Sequence, residues 1–65
     1  MDFSEQITLV RAKLNLSQEA LAKQLNVSFA TVNRWEQGRN KPTRKAMIFF
    51  REFCQEHNII LKENP

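Results

Sequence analysis

The stretch from Ser17 to Gln37 constrains the fold more than any other part of this chain. Leu21 and Leu25 stand four apart in its first half, and Val32 and Trp35 stand three apart in its second. Each spacing puts its pair on one face of an α-helix. Ser17 and Ser28 each precede an apolar-periodic run, where a hydroxyl can accept from an otherwise unpaired first-turn N–H. Asn26 lies between the runs, and its short amide bonds locally to the backbone, so it tolerates the left-handed conformation that stops a helix. Ala20 and Ala22 are small enough for a second helix to cross closely over the first. The stretch reads as two short helices joined by a tight turn.

The flanking residues supply two more helices. Asp2 and Glu5 have capping-box spacing, so a first helix is expected from about Phe3 to Leu14, with Ile7, Val10 and Leu14 on one stripe. Asn15 ends it, and Leu16 enters the core. The second and third helices are expected over 18–25 and 29–37. Gly38 supplies the positive φ that closes the third. The loop Gly38-Arg39-Asn40-Lys41-Pro42 follows, with Lys41 biased to extended geometry by the proline. Thr43 caps a fourth helix from about Arg44 to Glu56 or His57, with Ala46, Met47, Phe50, Phe53 and Cys54 on its core face. Ile48 and Phe49 point elsewhere. The expected fold is all-α, a compact bundle of four helices in one domain over residues 1–65, close to the lower size limit for a self-sufficient core. A short C-terminal tail carrying Ile59, Ile60 and Leu61 is left to pack on the core or to pair as a short strand with a second copy.

Three runs carry a resemblance. Leu16-Ser17-Gln18-Glu19-Ala20-Leu21-Ala22, Asn26-Val27-Ser28 and Val32-Asn33-Arg34-Trp35-Glu36-Gln37-Gly38 resemble the helix-turn-helix of the Cro and lambda-repressor (XRE-like) family, over roughly Ile7 to Phe53. That family comprises bacterial and phage DNA-binding regulators whose second motif helix lies in the major groove. The resemblance implies a lambda-repressor-like domain with its motif at 17–37. It also implies that Gln18, at the start of the second helix, contacts the DNA backbone.

Helical projection at about 100° per residue assigns roles along the third helix. Val32, Trp35 and Glu36 fall inward; Ala30, Asn33, Arg34 and Gln37 fall outward, with Phe29 on the border. Glu36 beside the core needs a cation, and Arg11 flanks the apolar stripe of the first helix in the same way. A bidentate Arg11–Glu36 pair is the expected solution, and the resembled family carries the same pair. Arg34 is the leading base reader, since a guanidinium can bond both acceptors of guanine. Asn33 is suited to adenine by a two-point contact, or to a phosphate. Phe29 and Ala30 could pack on a thymine methyl, though Phe29 could instead staple the turn onto the second helix. Phe29 departs from the polar residue common in the family, so no base code transfers. Gln18, Ser28, Gln37, Arg39, Asn40, Lys41 and Arg44 make the expected phosphate contacts.

Charge supports a polyanionic partner. The net charge is only +3, but six cations lie between Arg34 and Arg51 (Arg34, Arg39, Lys41, Arg44, Lys45, Arg51) against one acid, Glu36. No apolar run approaches membrane-spanning length and no start resembles a signal peptide, so a cytoplasmic location is expected. The single cysteine suits a reducing compartment. Cys54 and His57, three apart on the core-facing side of the fourth helix, are too few for a zinc site and read as a packed thiol and a helix-terminal imidazole. No nucleophile–base pair, phosphate-cradling glycine loop or paired carboxylates appear. The expectation is therefore no enzyme, no cofactor and no small-molecule ligand. It is a double-stranded-DNA-binding regulator of transcription, a repressor, acting as a homodimer through exposed apolar residues of the fourth helix and tail. The rivals are an antitoxin or restriction-modification control protein with the same DNA-binding surface, and a protein-interaction module that docks through the fourth helix.

Overall fold

The four helices begin alike, each on a side chain that caps it. α1 (Phe3–Leu14), α2 (Gln18–Leu25), α3 (Phe29–Glu36) and α4 (Arg44–Glu56) start after Asp2, Ser17, Ser28 and Thr43 in a computed structural model that describes residues 1–61. In each case the capping oxygen accepts from the third helical N–H: Glu5 at 3.0 Å, Ala20 at 3.0 Å, Thr31 at 3.1 Å and Ala46 at 3.1 Å. In α1 the Asp2 N–H also donates to Glu5 Oε1 at 3.2 Å, completing the capping box. Hydrogen bonds from the Glu5 backbone, then from Ser4, lower the Asp2 pKa.

They also end alike. Each helix stops at a residue in the left-handed region: Asn15 (φ 55), Asn26 (φ 59), Gly38 (φ 73) and Asn58 (φ 56). The N–H of the following residue then bonds back across the last turn. Leu16 donates to the Arg11 carbonyl at 2.9 Å, Val27 to Ala22 at 2.9 Å, Arg39 to Arg34 at 3.0 Å and Ile59 to Cys54 at 2.8 Å. Leu16, Val27 and Ile59 pack against the core at these ends. Arg39 is the exception and is exposed. The third helix thus leaves the core with a cation where the others return to it with an apolar side chain.

The all-α, four-helix expectation holds, with helix bounds within one residue of those read from the sequence. α3 packs on α1 and α2, and α2 packs on α4. Ile7, Val10, Leu21, Ala22, Leu25, Val32, Trp35, Phe50, Phe53 and Cys54 form the core. Phe3 joins three helices by edge-to-face contacts, its ring centroid 5.3 Å from Trp35 and 5.2 Å from Phe50. Gln6 is buried as well, its amide donating to the Met1 carbonyl at 3.4 Å. In the tail, Ile59 and Leu61 pack on the core while Ile60 is 89% exposed; the end of the expected tail, 62–65, lies outside the described residues.

One placement needs correcting. His57 is exposed rather than core-facing, with its ring 4.4 Å from that of Phe53. Its backbone (φ −100, ψ 10) has already left helical geometry, so a 100° projection does not reach it. Cys54 is buried, and burial raises its pKa. Among the described residues no helix is long and apolar enough to cross a membrane.

Candidate nucleic-acid interface

The amphipathic pattern of α3 fixes what it can present. Val32 (0% exposed) and Trp35 (4%) anchor its inner face in the core, so the opposite face must look outward. Phe29, Ala30, Arg34 and Gln37 are exposed there and Asn33 is half-buried. Phe29 is 52% exposed, which leaves an apolar ring at the start of the outward face. Ser28 Oγ, besides capping the helix, lies 2.8 Å from Thr31 Oγ1, so its hydroxyl is already engaged by two protein groups.

Behind this face runs a polar network. Arg11 lies across the Glu36 carboxylate, Nε donating to Oε2 at 2.7 Å and Nη2 to Oε1 at 3.1 Å, while Nη1 donates to the Leu16 carbonyl at 3.2 Å. One guanidinium therefore ties α1 both to α3 and to the chain entering α2. Burial pushes the Glu36 carboxyl up, but the hydrogen bonds from Arg11 and Gln18 and the Arg11 charge outweigh it, and its pKa falls below the ordinary 4.5. The Arg11 pKa is raised, chiefly by its hydrogen bond to Glu36.

Gln18 extends the network toward the outward face of α3. Its Nε2 donates to Glu36 Oε1 at 3.0 Å and to Asn33 Oδ1 at 3.4 Å, so both amide hydrogens point into the protein. From the sequence, an anion is expected to be held at the start of α2 by backbone and Gln18 amide together; in this structure the amide hydrogens lie on Glu36 and Asn33, and the N-terminal backbone N–H groups of α2 face outward beside them. Gln37 Nε2 also donates to Asn33 Oδ1, at 3.5 Å. With its oxygen shared between two donors, Asn33 keeps Nδ2 as its free hydrogen-bonding group among the described residues. That geometry disfavours a two-point adenine contact, which needs the amide oxygen, and favours donation to a base or phosphate acceptor.

The loop after α3 brings up the remaining charges. Arg34, Arg39, Lys41, Arg44, Lys45 and Arg51 are all exposed, whereas Glu36 sits behind them neutralised by Arg11. Arg39, Lys41 and Arg44 have no side-chain partner among the described residues, so their charges are available to phosphate. Lys45 lies 5.9 Å over the Phe49 ring. Asn40 behaves differently. In the amide orientation that satisfies both its atoms, Nδ2 donates to the Arg39 carbonyl at 2.8 Å and Oδ1 accepts from Arg34 Nε at 3.1 Å. Helical periodicity could not have found this contact, because it crosses the Gly38 reversal.

A model of the helix-turn-helix family matches residues 7–56. The chain is similar to the HTH-type transcriptional activator BcrR of Enterococcus faecalis, with 36% identity over 53 residues, 82% of this chain and 26% of that protein. It therefore spans well under half of that relative's length. No solved structure is significantly similar.

Proposed function

This chain belongs to the helix-turn-helix family, and from that premise we propose that it binds duplex DNA sequence-specifically as a small regulator of transcription. The observation that carries the reading is the outward face of α3, polar and cationic, flanked by a basic loop, with the Glu36 carboxylate of the same helix held inward by Arg11. α3 enters the major groove, Arg34 bonds guanine, Asn33 donates through Nδ2, and Phe29 and Ala30 meet thymine methyls. Gln37, Arg39, Lys41 and Arg44 hold phosphates, with the Ser28 turn and the N-terminal N–H groups at Gln18 completing the clamp. Arg11 and Glu36 keep α3 at the angle the groove requires. The work is done where bacterial DNA is, in the cytoplasm, without catalysis or cofactor.

Two finer points complete the proposal. The protein acts as a homodimer through Ile48 (48% exposed) and Phe49 (39%), the exposed large apolar residues of α4. Its outcome at a promoter is repression, because occupancy alone is enough to exclude polymerase. Selection of bound duplexes from a random pool, followed by titration over a range of salt, tests the reading. An enriched motif and a steep fall of affinity with salt are expected. A pool that never enriches, or affinity insensitive to salt, overturns it. A promoter reporter that rises with added protein would replace repression by activation.

A further inference from the structure

Arg34 stands on the exposed face of α3, and an arginine reads guanine only when its planar fork arrives edge-on to two acceptors. An unrestrained guanidinium samples many rotamers, and freezing one of them at an interface weakens binding. Here the rotamer is already restrained. With the Asn40 amide in the orientation that satisfies both its atoms, Arg34 Nε donates to Asn40 Oδ1 at 3.1 Å and Asn40 Nδ2 donates to the Arg39 carbonyl at 2.8 Å. The backbone holds that carbonyl in place: Gly38 reverses the chain at φ 73, and the Arg39 N–H bonds to the Arg34 carbonyl at 3.0 Å. Asn40 is thereby returned to the residue six positions before it. The two terminal nitrogens of Arg34 have no partner among the described residues, which leaves the far edge of the fork free.

We propose that Asn40 is a positioning residue for base recognition, one that orients Arg34 and so sets how strictly a single base pair is read. The inference rests on the DNA-reading function proposed above. The residue type fits the task. An acceptor is needed for Nε and a donor for the Arg39 carbonyl, and one amide supplies both. An aspartate would keep the acceptor, lose the donor and bring a negative charge toward phosphate. A serine is too short for both contacts at once. Asn40 in this role differs from its neighbours Arg39 and Lys41, whose charges are free for the DNA backbone and carry no base information.

The test has one arm without DNA and one with it. In the free protein, the Arg34 Nε–H should give a sharp, slowly exchanging signal in a 15N NMR spectrum, and Asn40→Ala should broaden it or shift it to solvent-exchange behaviour. On the best duplex from a random pool, with each base pair substituted in turn, Asn40→Ala should lower the preference at one pair by roughly fivefold, the pair also identified by Arg34→Ala. In the Arg34→Ala background, adding Asn40→Ala should change that preference by less than about twofold. Equal weakening on every duplex makes Asn40 a phosphate contact and overturns the proposal. So does an Arg34 Nε–H already in fast exchange in the parent. A protected Nε–H in a parent that binds no duplex overturns instead the DNA reading, and the recognition role of Asn40 with it.

Discussion

Glu36 is one acid in a segment with six exposed cations, and its environment decides whether it helps or hinders DNA binding. Held by Arg11 and Gln18 behind α3, it stiffens the helix without projecting a negative charge toward DNA. Glu36→Ala should cost about 2–3 kcal/mol in a thermal or urea melt, short of the roughly 3–5 for a fully buried pair. The difference reflects the 29% of the Arg11 side chain that stays exposed. The same pair sets a pH dependence. The folded Glu36 pKa is depressed, so the unfolded chain takes up its proton first as pH falls below the ordinary 4.5. Stability from this group is complete above that value and is lost as pH falls through the folded pKa. Melts from pH 7 to pH 2 should show a shallower acid decline for Glu36→Gln than for the parent. Arg34 and Lys41 separate reading from clamping. Arg34→Ala should cost about 1–3 kcal/mol on the best site and relax one base pair; Lys41→Ala should weaken all duplexes alike and lower the salt slope by about one unit. If Arg34→Ala leaves every base preference intact, reading passes to Asn33, Phe29 and Ala30.

Each helix is bounded by residues whose local chemistry requires no tertiary contact. A hydroxyl or carboxylate starts it, and an asparagine or glycine at positive φ stops it. This is why the helix bounds could be read from the chain so closely. The exchangeability of the stops can be measured at Gly38. A Cβ there meets nothing within 4 Å, so the cost of substitution lies in the backbone conformation alone. Gly38→Ala should therefore destabilise by about 1 kcal/mol, whereas Gly38→Asn should lose only a fraction of that, since Asn15, Asn26 and Asn58 already serve the same role. Equal melting temperatures for the two variants would show that this turn does not need the left-handed conformation. At the other end of α3, Ser28→Ala should cost about 1 kcal/mol through loss of the Thr31 N–H cap.

Across the whole molecule, apolar surface is unevenly buried. The core closes around Phe50, Ile7, Leu21, Val10 and Val32, while Ile48 and Phe49 remain on the outside of α4. If these two residues join two copies, sedimentation should find a dimer in solution or on DNA, and Phe49→Glu should shift it toward monomer. Two recognition helices would then address major grooves about 34 Å apart on one face of the duplex, and the selected sites should be palindromic at that spacing. A monomer in both conditions, with undivided sites, would remove the dimer from the proposal.

What the sequence determined by itself was whatever depends on neighbours in the chain. Caps, stops, helical stripes and the inward turn of Val32 and Trp35 all follow from local sterics, backbone hydrogen bonding and 3.6-residue periodicity. The Arg11–Glu36 pairing was legible too, because two charges at the edges of apolar stripes leave each other as the natural partner. The tertiary structure decided what each polar side chain had left to offer. Gln18 looked free at the start of α2, but the crossing of α2 and α3 turns its amide onto Glu36 and Asn33. Asn33 could be read as a two-point adenine contact or a phosphate contact, and the Gln18 and Gln37 amides that meet its oxygen bear on that choice. Asn40 looked like one more loop contact until the Gly38 reversal brought it to Arg34. A hydrogen-bonding group has few donors and lone pairs, and which of them remain free depends on residues distant in sequence that only folding brings within about 3 Å.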